Sequence, residues 1–215
     1  MADLLHPERP DGAPPPPETL AGLAQQAAAC TLCPLWRDAT QVVVGEGPAE
    51  ARLMLVGEQP GDREDIEGRP FIGPAGRVLD AALERVGIAR AEVYVTNAVK
   101  HFKHEMRGRR RLHQKPTASE VEHCRWWLAA ERRIVRPGLI IMLGATAARA
   151  VTGKALAVSR VRGRVRPIEG APECGLVTVH PSYLLRIREE ARKRPEWEAF
   201  LADLAAARDW LAARP

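Results

Sequence analysis

Two cysteines in the motif Cys30-Thr-Leu-Cys33 have a spacing that suits metal ligation. A two-residue gap brings both thiolates onto one metal ion or cluster, and thioredoxin-like redox pairs use the same gap. The redox interpretation is weaker, because the pair precedes the first predicted strand and does not open a helix behind one. A four-ligand site needs two more donors, and the candidates are Cys124, Cys174, His101 and His104. Thiolates suit a 4Fe–4S cluster or zinc, and the spacing alone does not choose between them.

The motif Gly57-Glu-Gln-Pro-Gly-Asp62 directly follows a predicted strand and is rich in glycine and polar side chains. Such a turn presents backbone N–H groups and carboxylates where a ligand can bind, although an ordinary turn between strand and helix is the alternative. A little further on, Phe71 stands between glycines and prolines in GRPFIGPAG. It is a candidate stacking platform for a planar ligand, and packing of the loop is the other explanation.

Two further polar residues end predicted strands. Asn97 closes the strand at residues 92–97, and its amide offers a donor and an acceptor to a planar ring with a matching edge. His180, two residues before Ser182, closes the strand at residues 175–179, where an imidazole can donate to a developing anion. Each is also compatible with a purely structural role, as a capping amide or a hydrogen-bonded histidine.

Residues 100–115 carry the excess positive charge of the chain. The whole chain has 32 Lys and Arg against 27 Asp and Glu, a net charge of +5. Seven basic residues and one acidic residue fall in this stretch, a local charge of +6 that leaves −1 for the remainder. Basic runs bind phosphate or form solvated surface. His113 lies within the run, and the neighbouring arginines oppose a positive charge on its imidazole, which keeps a ring nitrogen available as a nucleophile. The alternative is that His113 lies by accident among phosphate-binding arginines.

Short apolar runs alternate with amphipathic stretches along the chain, which predicts strands alternating with helices. The predicted strands are residues 52–56, 92–97, 138–143 and 175–179, and the predicted helices are residues 75–86, 117–135, a short one after Gly144, and 194–213. Thr117 and Glu120 form a start signal for the helix at 117–135. This order predicts one α/β domain with a mostly parallel central sheet flanked by helices. Ligands bind beyond the carboxyl ends of such strands, so the polar residues above should meet at one edge.

The composition is that of a globular domain. Apolar residues make up 46% and charged residues 27% of the 215 residues, which excludes wholesale disorder, a collagen-like chain and a disulfide scaffold. No apolar run approaches the ~18 residues of a membrane span. The N-terminus lacks the apolar region of a secretory signal, so we expect a cytoplasmic protein. Four prolines at 14–17 predict a flexible segment over residues 1–19, with the folded domain over residues 20–215.

Taken together, these residues resemble the uracil-DNA glycosylase superfamily, specifically its iron–sulfur family 4 group and, within that group, the UdgX type. GEQPGDREDIEGRPFIGPAGRVLD (residues 57–80) is similar to the first family motif, VYVTNAVKHFK (93–103) to the next strand and loop, and HPSYLLR (180–186) to the second motif. Two features are specific to UdgX. They are Gln59, where family 4 enzymes usually carry alanine, and RRRLHQKP (109–116), which is similar to the KRRIH loop.

The resemblance implies a three-layer fold and a role for each matched residue. Phe71 would stack on uracil, Asn97 would read its polar edge, and His180 would donate to a uracil oxygen as negative charge builds up on the leaving base. His113 would then attack C1′ of the deoxyribose and leave a stable covalent adduct after one turnover. Glu58 is the candidate for orienting or deprotonating His113. The other residues expected to line the pocket or hold the strand are Gly57, Gln59, Asp62, Arg111, Ser182, Leu184, Leu185 and Arg186.

The resemblance also implies a 4Fe–4S cluster that organises the fold and the DNA-binding loops. Family 4 enzymes use four cysteines, but this chain has Lys100 and His101 where the third cysteine is found. The motif alignment therefore assigns Cys30, Cys33, His101 and Cys124 as ligands, with Cys174 as the alternative to His101.

The expected partner is uracil-containing DNA, and single-stranded DNA gives the easiest access to C1′. The protein is expected to be a monomer that does not bind membranes. Two other functions stay open. One is an ordinary family 4-type glycosylase that turns over, and the other is a non-catalytic, metal-dependent DNA-binding module.

Overall fold

A five-stranded sheet forms the centre of the protein, which the computed structural model describes over residues 4–214. In chain order the strands are β1 (Leu53–Gly57), β2 (Val93–Asn97), β3 (His104–Arg107), β4 (Arg110–His113), β5 (Leu139–Leu143), β6 (Arg166–Pro167) and β7 (Cys174–Thr178). The central sheet has the order β2-β1-β5-β7-β6. Its first four strands are parallel, and the short edge strand β6 is antiparallel to β7.

Helices connect the strands and cover both faces of the sheet. They are α1 (Leu20–Ala27), α2 (Asp62–Glu67), α3 (Pro74–Arg85), α4 (Ala118–Val135), α5 (Ala145–Thr152), α6 (Val158–Val161), α7 (Pro181–Arg186) and α8 (Glu190–Ala212). Short 3₁₀ turns cover Pro34–Arg37 and Arg90–Glu92.

Alternate residues of each central strand enter opposite layers of the core, because side chains of a strand point to its two faces in turn. In β1, Met54 and Val56 belong to the apolar cluster that includes residues of α4 and α5. Leu53 and Leu55 belong to the other cluster, which includes residues of α3 and α8. Every residue of β1, β2 and β5 is buried. The predicted parallel sheet between helical layers is therefore confirmed.

The predicted start of α4 is confirmed, whereas the predicted start of the last helix is four residues too late. Thr117 caps α4: its hydroxyl accepts from the Glu120 N–H at 3.3 Å, and the Glu120 carboxylate accepts from the Thr117 N–H at 2.6 Å. The start signal is confirmed. The last helix begins at Glu190, four residues before the predicted start, and runs through Pro195. Pro195 is the sixth residue of this helix, past the first turn, so it removes one hydrogen bond that the helix would otherwise make.

The sequence predicts a loop for the basic stretch, but its central part is an antiparallel hairpin of β3 and β4. His104 pairs with His113, and Arg107 pairs with Arg110 across a two-residue turn in which Gly108 has a φ of +61°. Glycine adopts this left-handed conformation without strain. Periodicity does not reveal the hairpin, because polar residues occupy both of its faces and no apolar alternation remains.

Residues 4–19 contain no helix or strand, as their prolines lead us to expect. Leu4 and Ala13 are nevertheless buried, and the guanidinium of Arg132 in α4 donates to the Leu4 carbonyl at 3.4 Å. This part of the N-terminal segment thus packs on the domain. No helix within residues 4–214 is long and apolar enough to cross a membrane.

Candidate active site

A cavity of about 640 Å³ opens at the carboxyl ends of the parallel strands. Its position follows from the strand register, in which the last residues of β1 and β2, Gly57 and Asn97, are paired. The residues expected from the sequence that line it are Glu58, Gln59, Asp62, Phe71, Asn97, His113, His180, Ser182 and Arg186. Residues up to 128 positions apart in the chain therefore share one cavity.

Gly57 shapes this cavity by lacking a side chain. A Cβ at this position would lie 2.3 Å from Asn97 Oδ1 and 2.5 Å from Phe71 Cζ. Any other residue would push one of these two side chains away, so glycine is required for their close approach. The contribution of Gly57 is space and not a contact with a ligand.

Phe71 is buried and holds a left-handed backbone conformation, with a φ of +58°. Such a conformation costs a non-glycine residue about 1–3 kcal/mol. The buried carboxylate of Glu64 stabilises this loop by accepting from the N–H groups of Phe71, Gly73 and Gly61, the last at 2.9 Å. Burial raises the pKa of Glu64 despite these donors. Glu64 was not among the residues expected from the sequence; its place three residues after Gly61, at the start of α2, is the signal that could have identified it.

Asn97 carries an unsatisfied donor in the cavity. Its Nδ2 is buried and has no hydrogen-bond partner among residues 4–214. An unpaired buried amide is costly, so native proteins rarely retain one unless a ligand or water completes it. Its backbone carbonyl, by contrast, accepts from Lys100 Nζ at 2.7 Å. Lys100 therefore fixes the backbone of Asn97, while the side-chain Nδ2 has no partner among the described residues.

Lys100 belongs to a buried ion pair that the sequence analysis missed. Its Nζ lies 2.7 Å from Glu131 Oε2, and both side chains are fully buried. Glu131 also accepts from the hydroxyl of Thr96 and from the N–H of Gly45, at 2.8 Å for the latter. Lysine and glutamate are rarely buried unless paired, and neither residue stands out in the sequence because each is common on helix and loop surfaces.

His180 is a neutral imidazole with a defined tautomer. The backbone N–H of Ser182 donates to His180 Nδ1 at 3.2 Å, so the ring proton is on Nε2. Burial, with smaller contributions from Arg186 and His113, lowers the pKa of His180 to about 4. The ring is tilted against Phe71 with centroids 6.1 Å apart. His180 can therefore donate one hydrogen bond from Nε2 at neutral pH.

His113 and Glu58 are neighbours at the mouth of the cavity. His113 Nε2 lies 3.4 Å from Glu58 Oε1, and the other carboxylate oxygen, Oε2, accepts from the Thr146 hydroxyl at 2.5 Å. Half of the His113 side chain is exposed. The expected proximity of His113 and Glu58 is present, and Thr146 is a further member that the sequence analysis missed.

Gln59 and Arg111 hold the hairpin of β3 and β4 on the domain. Gln59 donates to the carbonyls of Lys103 and Gln114, at 3.1 and 3.0 Å. Arg111 binds the carboxylates of Asp62 and Asp65, at 2.6 and 2.5 Å. We expected Gln59 and Arg111 to face the ligand or its phosphates. In the structure their polar groups are used within the protein, and Arg111 does not line the cavity.

The resemblance implies that Leu184, Leu185 and Arg186 contact the DNA strand, but not all three are exposed in α7. Leu184 is buried in the core and so does not reach a DNA strand, whereas Leu185 is 48% exposed. Arg186 is also exposed and donates to the Ser182 hydroxyl at 3.1 Å. Leu185 and Arg186 remain candidates for strand contact.

Three of the four cysteines lie together on the α4 side of the sheet. Cys30, Cys33 and Cys124 are buried. A hydrogen bond with the Cys124 thiol lowers the pKa of Cys33 to about 7 and raises that of Cys124. Trp127 Nε1 donates to Cys30 Sγ at 3.1 Å. Within residues 4–214, no three His, Cys, Asp or Glu side chains are arranged to hold a single metal ion.

Cysteine sulfur and histidine nitrogen atoms, which are the types of atom that bind iron–sulfur clusters, are nonetheless grouped here. The backbone N–H of Lys100 donates to Cys124, which brings the segment with His101 beside the cysteines. His101 is buried, and its Nδ1 has no hydrogen-bond partner among the described residues. Burial lowers its pKa, which favours the neutral imidazole that binds metals.

The other candidate ligands lie elsewhere. Cys174 begins β7, at the opposite end of the sheet, and packs against the apolar cluster of α3 and α8. This position separates it from Cys124, so the alternative of Cys174 as the fourth ligand does not fit the structure. His104 lies in β3 and stacks on Phe102, with ring centroids 5.0 Å apart.

Comparison with known proteins gives consistent matches. A family model described as the uracil DNA glycosylase superfamily matches residues 44–205. A type-4 uracil-DNA glycosylase of Thermotoga maritima is 39% identical over 178 residues, covering 82% of this chain and 88% of that protein. The type-4 enzymes of Archaeoglobus fulgidus and Pyrobaculum aerophilum are 33% and 36% identical, over 80% and 73% of this chain and 88% and 80% of their own lengths.

Proposed function

The chain belongs to the uracil-DNA glycosylase superfamily, and from this premise we propose that it excises uracil from DNA and then captures the sugar through His113. The observation that carries the first step is the buried, unpartnered Nδ2 of Asn97. An Asn amide complements the adjacent N–H and carbonyl of uracil, with Oδ1 accepting and Nδ2 donating.

The remaining cavity residues suit cleavage of the N-glycosidic bond. The C1′–N1 bond breaks with both electrons going to the base, which leaves as an anion while the sugar becomes oxocarbenium-like. The neutral Nε2–H of His180 stabilises the developing negative charge without transferring its proton. Phe71 provides an apolar face for the base.

We assign capture of the electrophilic sugar to His113, which lines the same cavity as Asn97 and His180. A lone pair of its neutral ring forms the new bond to C1′, and the imidazole becomes a positively charged imidazolium. The carboxylate of Glu58, 3.4 Å from His113 Nε2, offsets that positive charge. The imidazolium then loses its remaining N–H proton to solvent, because half of the His113 side chain is exposed. No water is consumed, so the protein acts once and stays attached.

An ordinary glycosylase that turns over is the second candidate. Relatives named type-4 uracil-DNA glycosylase support it as well as they support covalent capture. The half-exposed side chain of His113 shows that water reaches this part of the cavity in the free protein. A non-catalytic DNA-binding module is disfavoured by the unpartnered Asn97 amide and the fixed tautomer of His180.

A 4Fe–4S cluster held by Cys30, Cys33, Cys124 and His101 is part of this proposal. Bound by these four side chains, the cluster would supply a structural link among the Cys30–Cys33 motif, α4 and the segment that follows β2, and no reacting atom. That segment contains Lys100, whose ammonium group donates to the backbone carbonyl of Asn97. We also propose single-stranded DNA as the preferred substrate, a monomeric protein and a cytoplasmic location.

The decisive experiment is incubation with a single-stranded oligonucleotide containing one uracil, followed by denaturation with SDS and heat. We expect a covalent species whose mass equals protein plus DNA minus uracil, and peptide mapping to place the DNA on His113. His113→Ser should abolish the species. His104→Ser, its partner across the hairpin, is the matched control and should retain it. Free abasic DNA in excess of enzyme, without an adduct, would establish the ordinary glycosylase instead.

A further inference from the structure

Thr146 makes a short hydrogen bond to the carboxylate beside His113. Its hydroxyl lies 2.5 Å from Glu58 Oε2. A carboxylate only accepts, so the hydroxyl is the donor. Thr146 is 6% exposed, and little water can compete for this bond. Hydrogen bonds to ionised groups are the stronger ones in proteins.

The fold places Thr146 there through the neighbouring strand. β5 pairs with β1, so the segments that leave their carboxyl ends lie side by side. Gly144 follows β5 with a φ of +95°, which turns the chain at once into α5. Thr146 is the second residue of this helix. The Glu58 carbonyl is held separately by the N–H of Val99 at 3.0 Å.

Thr146 has no role in capping its own helix. Gly144 is the residue before α5, and no side-chain cap is present there. Among the described residues, the Thr146 hydroxyl therefore has one hydrogen bond, to the Glu58 carboxylate 88 residues away in sequence. Helix propensity does not explain a threonine at this position, because threonine is a mediocre helix former.

We propose that Thr146 is a positioning residue for covalent capture, which rests on the function proposed above. By occupying Oε2, it fixes the carboxylate so that Oε1 faces His113 Nε2. The carboxylate then stays aligned when positive charge develops on the imidazole. The uracil-binding groups of Asn97, Phe71 and His180 have no hydrogen bond to Thr146 or Glu58 in the described structure. Thr146 should thus act on the fate of the sugar more than on recognition of the base.

The test is the partition of product under single-turnover conditions. Adduct and free abasic DNA are both quantified per uracil released, so any misfolded fraction drops out of the ratio. Thr146→Val keeps the shape of the side chain but removes the donor, and we expect the ratio of adduct to abasic DNA to fall about tenfold or more. Thr146→Ser restores the donor and should keep the ratio within about twofold of the parent protein.

Thr152→Val is the matched control, because Thr152 ends the same helix and bonds to the Ala148 carbonyl. Its partition should equal that of the parent. An unchanged partition in Thr146→Val would overturn the inference, and so would equal effects of the Val and Ser variants. A parent protein that forms no adduct at all would instead refute covalent capture, and the positioning role with it.

Discussion

Gln59 and Lys103 are joined by two hydrogen bonds that close a ring between side chain and main chain. Gln59 Nε2 donates to the Lys103 carbonyl at 3.1 Å, and the Lys103 N–H donates to Gln59 Oε1 at 3.2 Å. A third bond from Gln59 reaches the carbonyl of Gln114, directly after β4. Both ends of the hairpin that carries His113 are therefore attached to one amide. This attachment, together with the ion pairs of Arg111, holds the hairpin that carries His113 on the domain.

Replacing Gln59 with alanine should slow covalent capture. Gln59→Ala removes all three bonds at the base of the hairpin, so His113 samples more positions, and we expect the rate of adduct formation to fall about tenfold. Rapid-quench sampling followed by denaturing electrophoresis measures this rate. Gln114→Ala is the control, because within residues 4–214 the Gln114 side chain hydrogen-bonds to Glu105 and not to Gln59. Equal rates for Gln59→Ala and the parent would show that the hairpin does not need this anchor.

Removing the amide of Asn97 should impair uracil release itself. Asn97→Ala eliminates the amide donor and acceptor that we propose complement the base, and we expect the single-turnover rate of uracil release to fall about 10²-fold or more. Release is followed by chromatography of free uracil. Thr146→Val provides a comparison, since the proposed role of Thr146 lies after base departure. Undiminished release by Asn97→Ala would move base recognition to another part of the cavity.

The pH dependence of stability should reflect the neutral, partly buried imidazole of His180. Its pKa in the folded protein is about 4, below the ~6.5 of an unfolded chain. The unfolded state therefore binds more protons, and the associated stability, present above about pH 6.5, is lost as the pH falls toward 4. We expect the melting temperature of the parent to drop between pH 6.5 and 4, and that of His180→Gln to drop less. The same drop in both proteins would assign the acid sensitivity to other groups.

Substitution of single cysteines should distinguish the three proposed cluster ligands from Cys174. We expect the purified protein to be brown, with broad absorbance at about 400 nm from thiolate-ligated iron. Cys124→Ala should abolish this absorbance, because Cys124 lies between Cys33 and the segment before His101. Cys174→Ser should keep it, since Cys174 begins β7 at the other end of the sheet. A colourless protein that contains stoichiometric zinc would refute the iron–sulfur assignment.

The sequence was sufficient to predict the layered fold and many of the polar residues that line the cavity. Apolar runs are long enough to identify the parallel strands, and the ends of parallel strands share one edge. Asn97 and His180 were therefore expected at the same edge, whatever the details of the loops. The pairing of Thr117 with Glu120 was equally visible, because a helix start depends on residues only three positions apart.

Tertiary structure alone decided which polar groups are used up and which remain free. Gln59 and Arg111 bind the hairpin, while Nδ2 of Asn97 has no partner in the described protein. Glu58 meets a hydroxyl 88 residues away in Thr146. Hydrogen bonds are short-ranged and directional, so these contacts depend on how loops and helix ends pack in three dimensions. Sequence pattern reports the local period of a segment, and it carries no record of which distant atoms that packing brings within 3 Å.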